Sequence, residues 1–131
     1  MTLESIFEIK IDLLTVNIIS FMIHTIYTML IHEVCINNDI NGLSKLLKKN
    51  HDINVLDYLW NTGLIWACIY DNIKIVSKLI EEKCDLNIQN KVGAVALIYA
   101  CETGNRDLIL MLIKAKCKLN IKDGEGMTVL M

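Results

Sequence analysis

Cys84-Asp85-Leu86-Asn87 returns 33 residues later as Cys117-Lys118-Leu119-Asn120, and stands 33 residues earlier as His51-Asp52-Ile53-Asn54. A fixed period of this length marks a repeat architecture, in which one supersecondary unit is copied along the chain. Two further columns keep the same register: Cys35, Cys68 and Cys101, and Leu46, Leu79 and Leu112. Three columns holding one period without slipping make chance a poor explanation.

Each unit divides into two helical halves. In the middle unit, residues 62–70 form an opening segment, Asp71-Asn72 is a polar break, and residues 73–83 form a second segment. A break this short predicts antiparallel helices. Ile73, Val76, Leu79 and Ile80 recur at spacings of three and four, which puts them on one helix face that must be buried. Leu43, Leu46 and Leu47 repeat the pattern one unit earlier, and Leu108, Ile109, Leu112 and Ile113 one unit later. After the second helix, Asn87-Ile88-Gln89-Asn90-Lys91-Val92-Gly93 reads as a projecting turn, because Asn and Gly accept the positive φ that turns require. One helix pair cannot bury its own apolar face, whereas stacked pairs share a continuous core worth about 1.5–3 kcal/mol per buried Leu or Ile.

These residues resemble the ankyrin repeat, whose pattern is roughly G-x-T-P-L-H-x-A, a G-H turn, I-V-x-L-L and then G-A-D-x-N. In the third unit Gly93, Leu97, Ala100, Gly104, Ile109, Leu112, Ile113 and Asn120 match it; in the second Thr62, Leu64, Ala67, Val76, Leu79, Asp85 and Asn87 do. The first unit keeps His32, Leu43, Leu46, Leu47, Asp52 and Asn54, with Val34 at the alanine and Asn38 at the turn glycine. The resemblance implies an all-α solenoid of stacked antiparallel helix pairs joined by hairpin-like turns. The units fall at about 29–61, 62–94 and 95–127, and residues 126–131 read as the opening of a truncated fourth. Residues 1–28 read as an N-terminal capping helix or as a degenerate repeat, with Ile9, Leu13 and Leu14 in second-helix positions. Both readings hold that segment against the stack.

Two departures from the pattern bear on shape. The family's proline is missing from every unit, replaced by Leu30, Gly63, Ala96 and Val129, so helix starts lose a rigid element. Trp60 stands where the hairpin glycine belongs, which predicts a turn at residues 57–60 unlike its neighbours.

The 131 residues, 53% of them hydrophobic, suffice for one compact domain. A net charge of -2 lacks the basic footprint that phosphate backbones need, so nucleic acid is not an expected partner. Five cysteines cannot all pair within one chain, and Glu4 and Glu8 stand where a secretory signal needs positive charge; both point to the cytoplasm. The apolar run at residues 13–31 carries Asn17 and His24, and its end belongs to the first repeat. That makes it marginal as a span, which needs about 20 apolar residues; a membrane-tethered module anchored by residues 13–27 is the alternative reading.

No cofactor, metal or catalytic residue is expected. The cysteines occupy the family's alanine columns and read as small core residues, and no C-x-x-C pair gives zinc spacing. His32-Glu33 opens like H-E-x-x-H, but Ile36 stands in place of the second histidine, and the resemblance gives His32 a structural hydrogen bond instead. Gly124-Glu125-Gly126 would need its third glycine at Val129 and a helix after it.

What the resemblance implies is a non-enzymatic scaffold or adaptor that binds a protein through turn tips and first-helix edges. Those positions are Tyr58, Leu59, Trp60, Asn61, Ile69 and Tyr70 in the second unit; Lys91, Val92, Ala94, Glu102 and Thr103 in the third; and Glu125 and Met127 in the partial fourth. Tyr58, Trp60 and Tyr70 stand out, because aromatic side chains dominate binding hot spots. If the array is a fragment, its last unit, lined by Leu108, Met111 and Leu112, is expected to self-associate.

Overall fold

The computed structural model describes residues 2–49 and 51–130. Its six helices are α1 (Leu3–Ile36), α2 (Ile40–Leu47), α3 (Gly63–Ile69), α4 (Ile73–Glu81), α5 (Ala96–Thr103) and α6 (Arg106–Lys114), with no strand among the described residues. The helices pair as α1 with α2, α3 with α4 and α5 with α6. First helices pack in one row, α1 on α3 on α5, and second helices in another, α2 on α4 on α6. This is the all-α stack of antiparallel pairs that the period requires.

The core runs through the stack in columns of the repeat. Ile31, Leu64 and Leu97 are buried at equivalent positions of the first helices, and Leu79 and Leu112 at equivalent positions of the second. Side-chain caps start several helices: the Thr62 hydroxyl accepts the Ile65 N–H at 3.1 Å, and an Asp39 carboxylate oxygen accepts that of Gly42 at 2.8 Å. The short breaks at 37–39, 71–72 and 104–105 each carry a left-handed residue, with φ of 56° at Asn38, 60° at Asp71 and 71° at Gly104. One column thus does the same backbone work with three residue types, all of which tolerate that region better than branched residues.

The N-terminal segment differs from its expectation. Among the described residues no boundary separates the segment before residue 29 from the first repeat: α1 is one helix of 34 residues, and the first repeat's opening helix is only about its last quarter. Nor do the N-terminal residues cover the stack. Every described residue from Thr2 to Ile26 is exposed, and the helix first meets the core at Tyr27. Neither glycine nor proline occurs before Gly42, so nothing in the chain interrupts the helix before Asn37. Ile9, Leu13 and Leu14 are exposed, not packed as a degenerate second helix.

Two further readings are corrected. Leu108 and Leu112, taken as the open face of the last unit, are fully buried against the stack, and Met111 is half-buried, because this face of α6 turns inward toward α5 and α4. Cys101 is exposed although Cys35 and Cys68 of its column are buried; the Cys35 thiol packs against Gly63 of the unit that follows. Of the closing segment at 126–131, Met131 lies outside the described residues; Val129 packs half-buried on the core.

Candidate partner-binding surface

The projecting turns are built by a column of side chains that hold their own backbone. Asp57, Asn90 and Asp123 stand 33 residues apart. In each case one side-chain oxygen accepts two backbone N–H groups: Leu59 and Asn61 on Asp57, Val92 and Ala94 on Asn90, Glu125 and Met127 on Asp123. Backbone bonds close the same loops, Trp60 N–H to Asp57 C=O, Gly93 to Asn90 and Gly126 to Asp123, at 2.9–3.0 Å. Adjacent turns are then tied together, with Lys91 N–H on Leu59 C=O and Gly124 N–H on Val92 C=O.

Trp60 therefore sits in a turn of the same shape as its neighbours, contrary to the expectation of a different one. Its φ is 62°, against 77° for Gly93 and 79° for Gly126. A tryptophan in this region carries backbone strain that glycine does not, on the order of 1–2 kcal/mol. Its indole is half-exposed, and the Lys91 ammonium lies 5.9 Å from the ring centroid.

Around this tip the structure gathers Tyr58, Leu59, Trp60 and Tyr70 as exposed apolar groups, with Ile69 half-buried beside them. Lys91 and Val92 are exposed on the next tip, and Glu102 and Thr103 at the end of α5. Asn61 and Ala94 are not available to a partner. Both are buried: Asn61 accepts a hydrogen bond from the Asn90 side chain at 2.9 Å, and Ala94 gives its N–H to Asn90. They end the turn where the chain re-enters the stack, so they face inward.

Sequence reasoning missed Trp66. It lies four residues before Tyr70 on α3, and the two rings stack with centroids 6.1 Å apart. Its indole N–H donates to the second carboxylate oxygen of Asp57 at 2.7 Å, so one aspartate holds both the turn and the ring behind it. The i, i+4 spacing of Trp66 and Tyr70 was the available signal. Trp66 forms one wall of a cleft of about 680 Å³ between α1 and the first turn, with Met29, Ile36, Leu56 and Tyr58 as its apolar lining and His24, His32, Glu33 and Asp57 as its polar groups.

His32 is buried beside this cleft with Nε2 3.1 Å from the Val55 carbonyl oxygen. A carbonyl only accepts, so the proton is on Nε2. Burial pulls the imidazole's pKa below its ordinary value, partly offset by the Val55 hydrogen bond. Three buried thiols are held protonated as well: burial pushes Cys35 and Cys84 up to about 12, and raises Cys68. Among the described residues no three His, Cys, Asp or Glu side chains are grouped to hold a metal ion.

The uncharged stretch of α1 that is free of the repeats runs only over residues 13–26, roughly 21 Å of helix against a hydrocarbon core of about 30 Å. Among the described residues no helix is long and apolar enough to cross a membrane.

No curated protein compared with the chain is a significant match. The family model described as ankyrin repeats (3 copies) matches residues 31–123, well over half of the chain. Proteins with these repeats are generally protein–protein interaction modules, typically without enzymatic activity. With its three helix pairs and the Asn54, Asn87, Asn120 period inside the matched region, this chain belongs to the ankyrin-repeat family.

Proposed function

We propose that this chain is a non-enzymatic adaptor that binds a protein partner along its turn tips and first-helix edges, with the second unit as the main contact. The observation that carries this reading is the group Tyr58, Trp60, Trp66 and Tyr70, three of them exposed, of which Tyr58 and Trp66 line the cleft between α1 and the first turn and Tyr70 stacks on Trp66. Aromatic groups on a rigid framework lose little entropy on binding, which suits them to anchor an interface. Trp60 gives a second support: its strained φ is retained at a position where glycine would serve the turn better. Lys91, Val92, Glu102 and Thr103 extend the surface onto the third unit. The cytoplasm suits a chain whose five cysteines are all free thiols.

The test compares affinity for a protein retained by the chain from the cells that make it. Tyr58→Ala and Trp60→Ala each weaken binding by roughly 2 kcal/mol, about 30-fold in Kd, while Lys74→Ala and Lys114→Ala on the second-helix row leave it unchanged. Equal effects from both sets would overturn the assignment of the surface.

A further inference from the structure

Residues 3–26 of α1 form a free helical arm, roughly 36 Å long at about 1.5 Å per residue. Beyond Asp12, exposed apolar residues fall on every side of it. Phe7, Ile11, Leu14, Ile18 and Phe21 follow a spacing of four and three along one seam, and their exposure runs from 45% at Ile11 to 72% at Phe21. A helix without a polar face belongs in a core, and an exposed apolar surface this large marks an interaction site.

We infer that the arm pairs antiparallel with the arm of a second copy of this chain. Two observations favour that occupant. The first is area: the five seam residues expose on the order of 600 Å² per copy, so a pair removes about 1,200 Å², which reaches the range of specific interfaces. The second is charge. Glu4, Glu8 and Asp12 make a row at i, i+4 near the tip, accompanied only by Lys10, and form no ion pair among the described residues. At the base of the arm, α2 returns alongside α1. It carries the exposed Lys45, with the exposed Lys48 and Lys49 just past its end, before the chain reaches His51, whose ring lies 4.0 Å from that of Tyr27 at the base of the arm.

Antiparallel pairing centred on Leu14 sets Glu4 opposite residue 24 of the other copy, toward the base that carries its lysines, and keeps Glu4 and Glu8 of the two copies at opposite ends. Parallel pairing would put six carboxylates together, three from each copy. The resulting contact is isologous, closing on a two-fold axis. One pair still leaves Ile9, Val16 and Ile23 on the opposite side, so two pairs joining as a four-helix bundle complete the same device. The five seam residues share no position with the turn tips or with the cleft beside them, so the proposal stands independently of the adaptor reading.

Sedimentation equilibrium of the full chain across the micromolar range tests it, alongside flotation with phosphatidylcholine–phosphatidylserine vesicles. The wild-type chain sediments as a dimer or tetramer and does not float. Leu14→Glu with Ile18→Glu gives a monomer that still unfolds cooperatively, at a midpoint independent of concentration, because neither residue touches the repeats. Reversing Glu4, Glu8 and Asp12 to lysine weakens association by roughly tenfold or more. A wild-type monomer, association that survives the two glutamates, tighter association after charge reversal, or flotation of the wild-type chain would each overturn the inference.

Discussion

The side-chain oxygen of Asn54 accepts the backbone N–H of Asp85, 31 residues further along, at 2.8 Å. Asn87 does the same for Lys118, also at 2.8 Å. The column that reveals the repeat in sequence is thus the one that staples each unit to the next. Stability in such a stack is a sum of unit and nearest-neighbour terms, so a staple acts on the coupling between units.

Asn54→Ala and Asn87→Ala should each lower stability by about 1 kcal/mol. Asn120 makes no such bond among the described residues, and Asn120→Ala should stay within about 0.5 kcal/mol of the wild type. Urea unfolding followed by circular dichroism measures all three, and a larger loss at Asn120 than at Asn54 would contradict the staple.

Trp60→Gly should raise the unfolding midpoint while Trp60→Ala does not, because only glycine relieves the positive φ. The gain expected is about 1 kcal/mol, less the entropy that glycine adds to the unfolded chain. Matched thermal melts of the two variants decide the point.

Asp57 holds three N–H groups with two oxygens. Asp57→Ala should cost about 2 kcal/mol, whereas Asp57→Asn keeps the turn, as Asn90 does one unit later, and loses only the Trp66 bond at about 1 kcal/mol. Trp66 fluorescence should report the loosened ring in both variants.

Burial holds His32 below its ordinary pKa, so the unfolded chain takes up its proton first as pH falls. Stability from this residue is present above the unfolded-state value near 6.5 and is lost as pH drops from there towards the lower folded-state value. Urea midpoints should fall less steeply between neutral and mildly acidic pH in His32→Gln than in the wild type. Identical slopes would mean that the ring titrates freely.

Of the five thiols only Cys101 is exposed, and it should react first with a disulfide reagent. The other four should follow at the rate of unfolding. Four fast thiols would contradict the packing of the stack.

Much of this was legible in the sequence because a repeat prints its geometry as period. Val76 and Leu79 marked the buried face of α4, although Ile75 is buried with them and Ile73, taken for that face, is only half-buried; Asp71-Asn72 gave the break before it. The N-terminal boundary was not legible from the repeat pattern, which places a unit start near Leu30 while the backbone carries one helix through it. The absence of Gly and Pro before Gly42 was the better guide. At the turns the pattern named the tips Tyr58 and Trp60, but it also swept in Asn61 and Ala94, which close the loop from inside through hydrogen bonds that no spacing rule separates from exposed neighbours. Trp66 escaped because its importance comes from Asp57, nine residues away, and not from its own column.

The central claim is that partners meet the chain at the second unit's turn and first-helix edge. The most direct measurement replaces Tyr58 with a photo-crosslinking amino acid in one sample and Leu110, exposed on α6, in another. Each is irradiated in extract of the cells that make the protein. The account predicts a discrete protein adduct from position 58, lost when Trp60→Ala is added, and none from position 110. Adducts from position 110 alone, or adducts at 58 indifferent to Trp60, would contradict it.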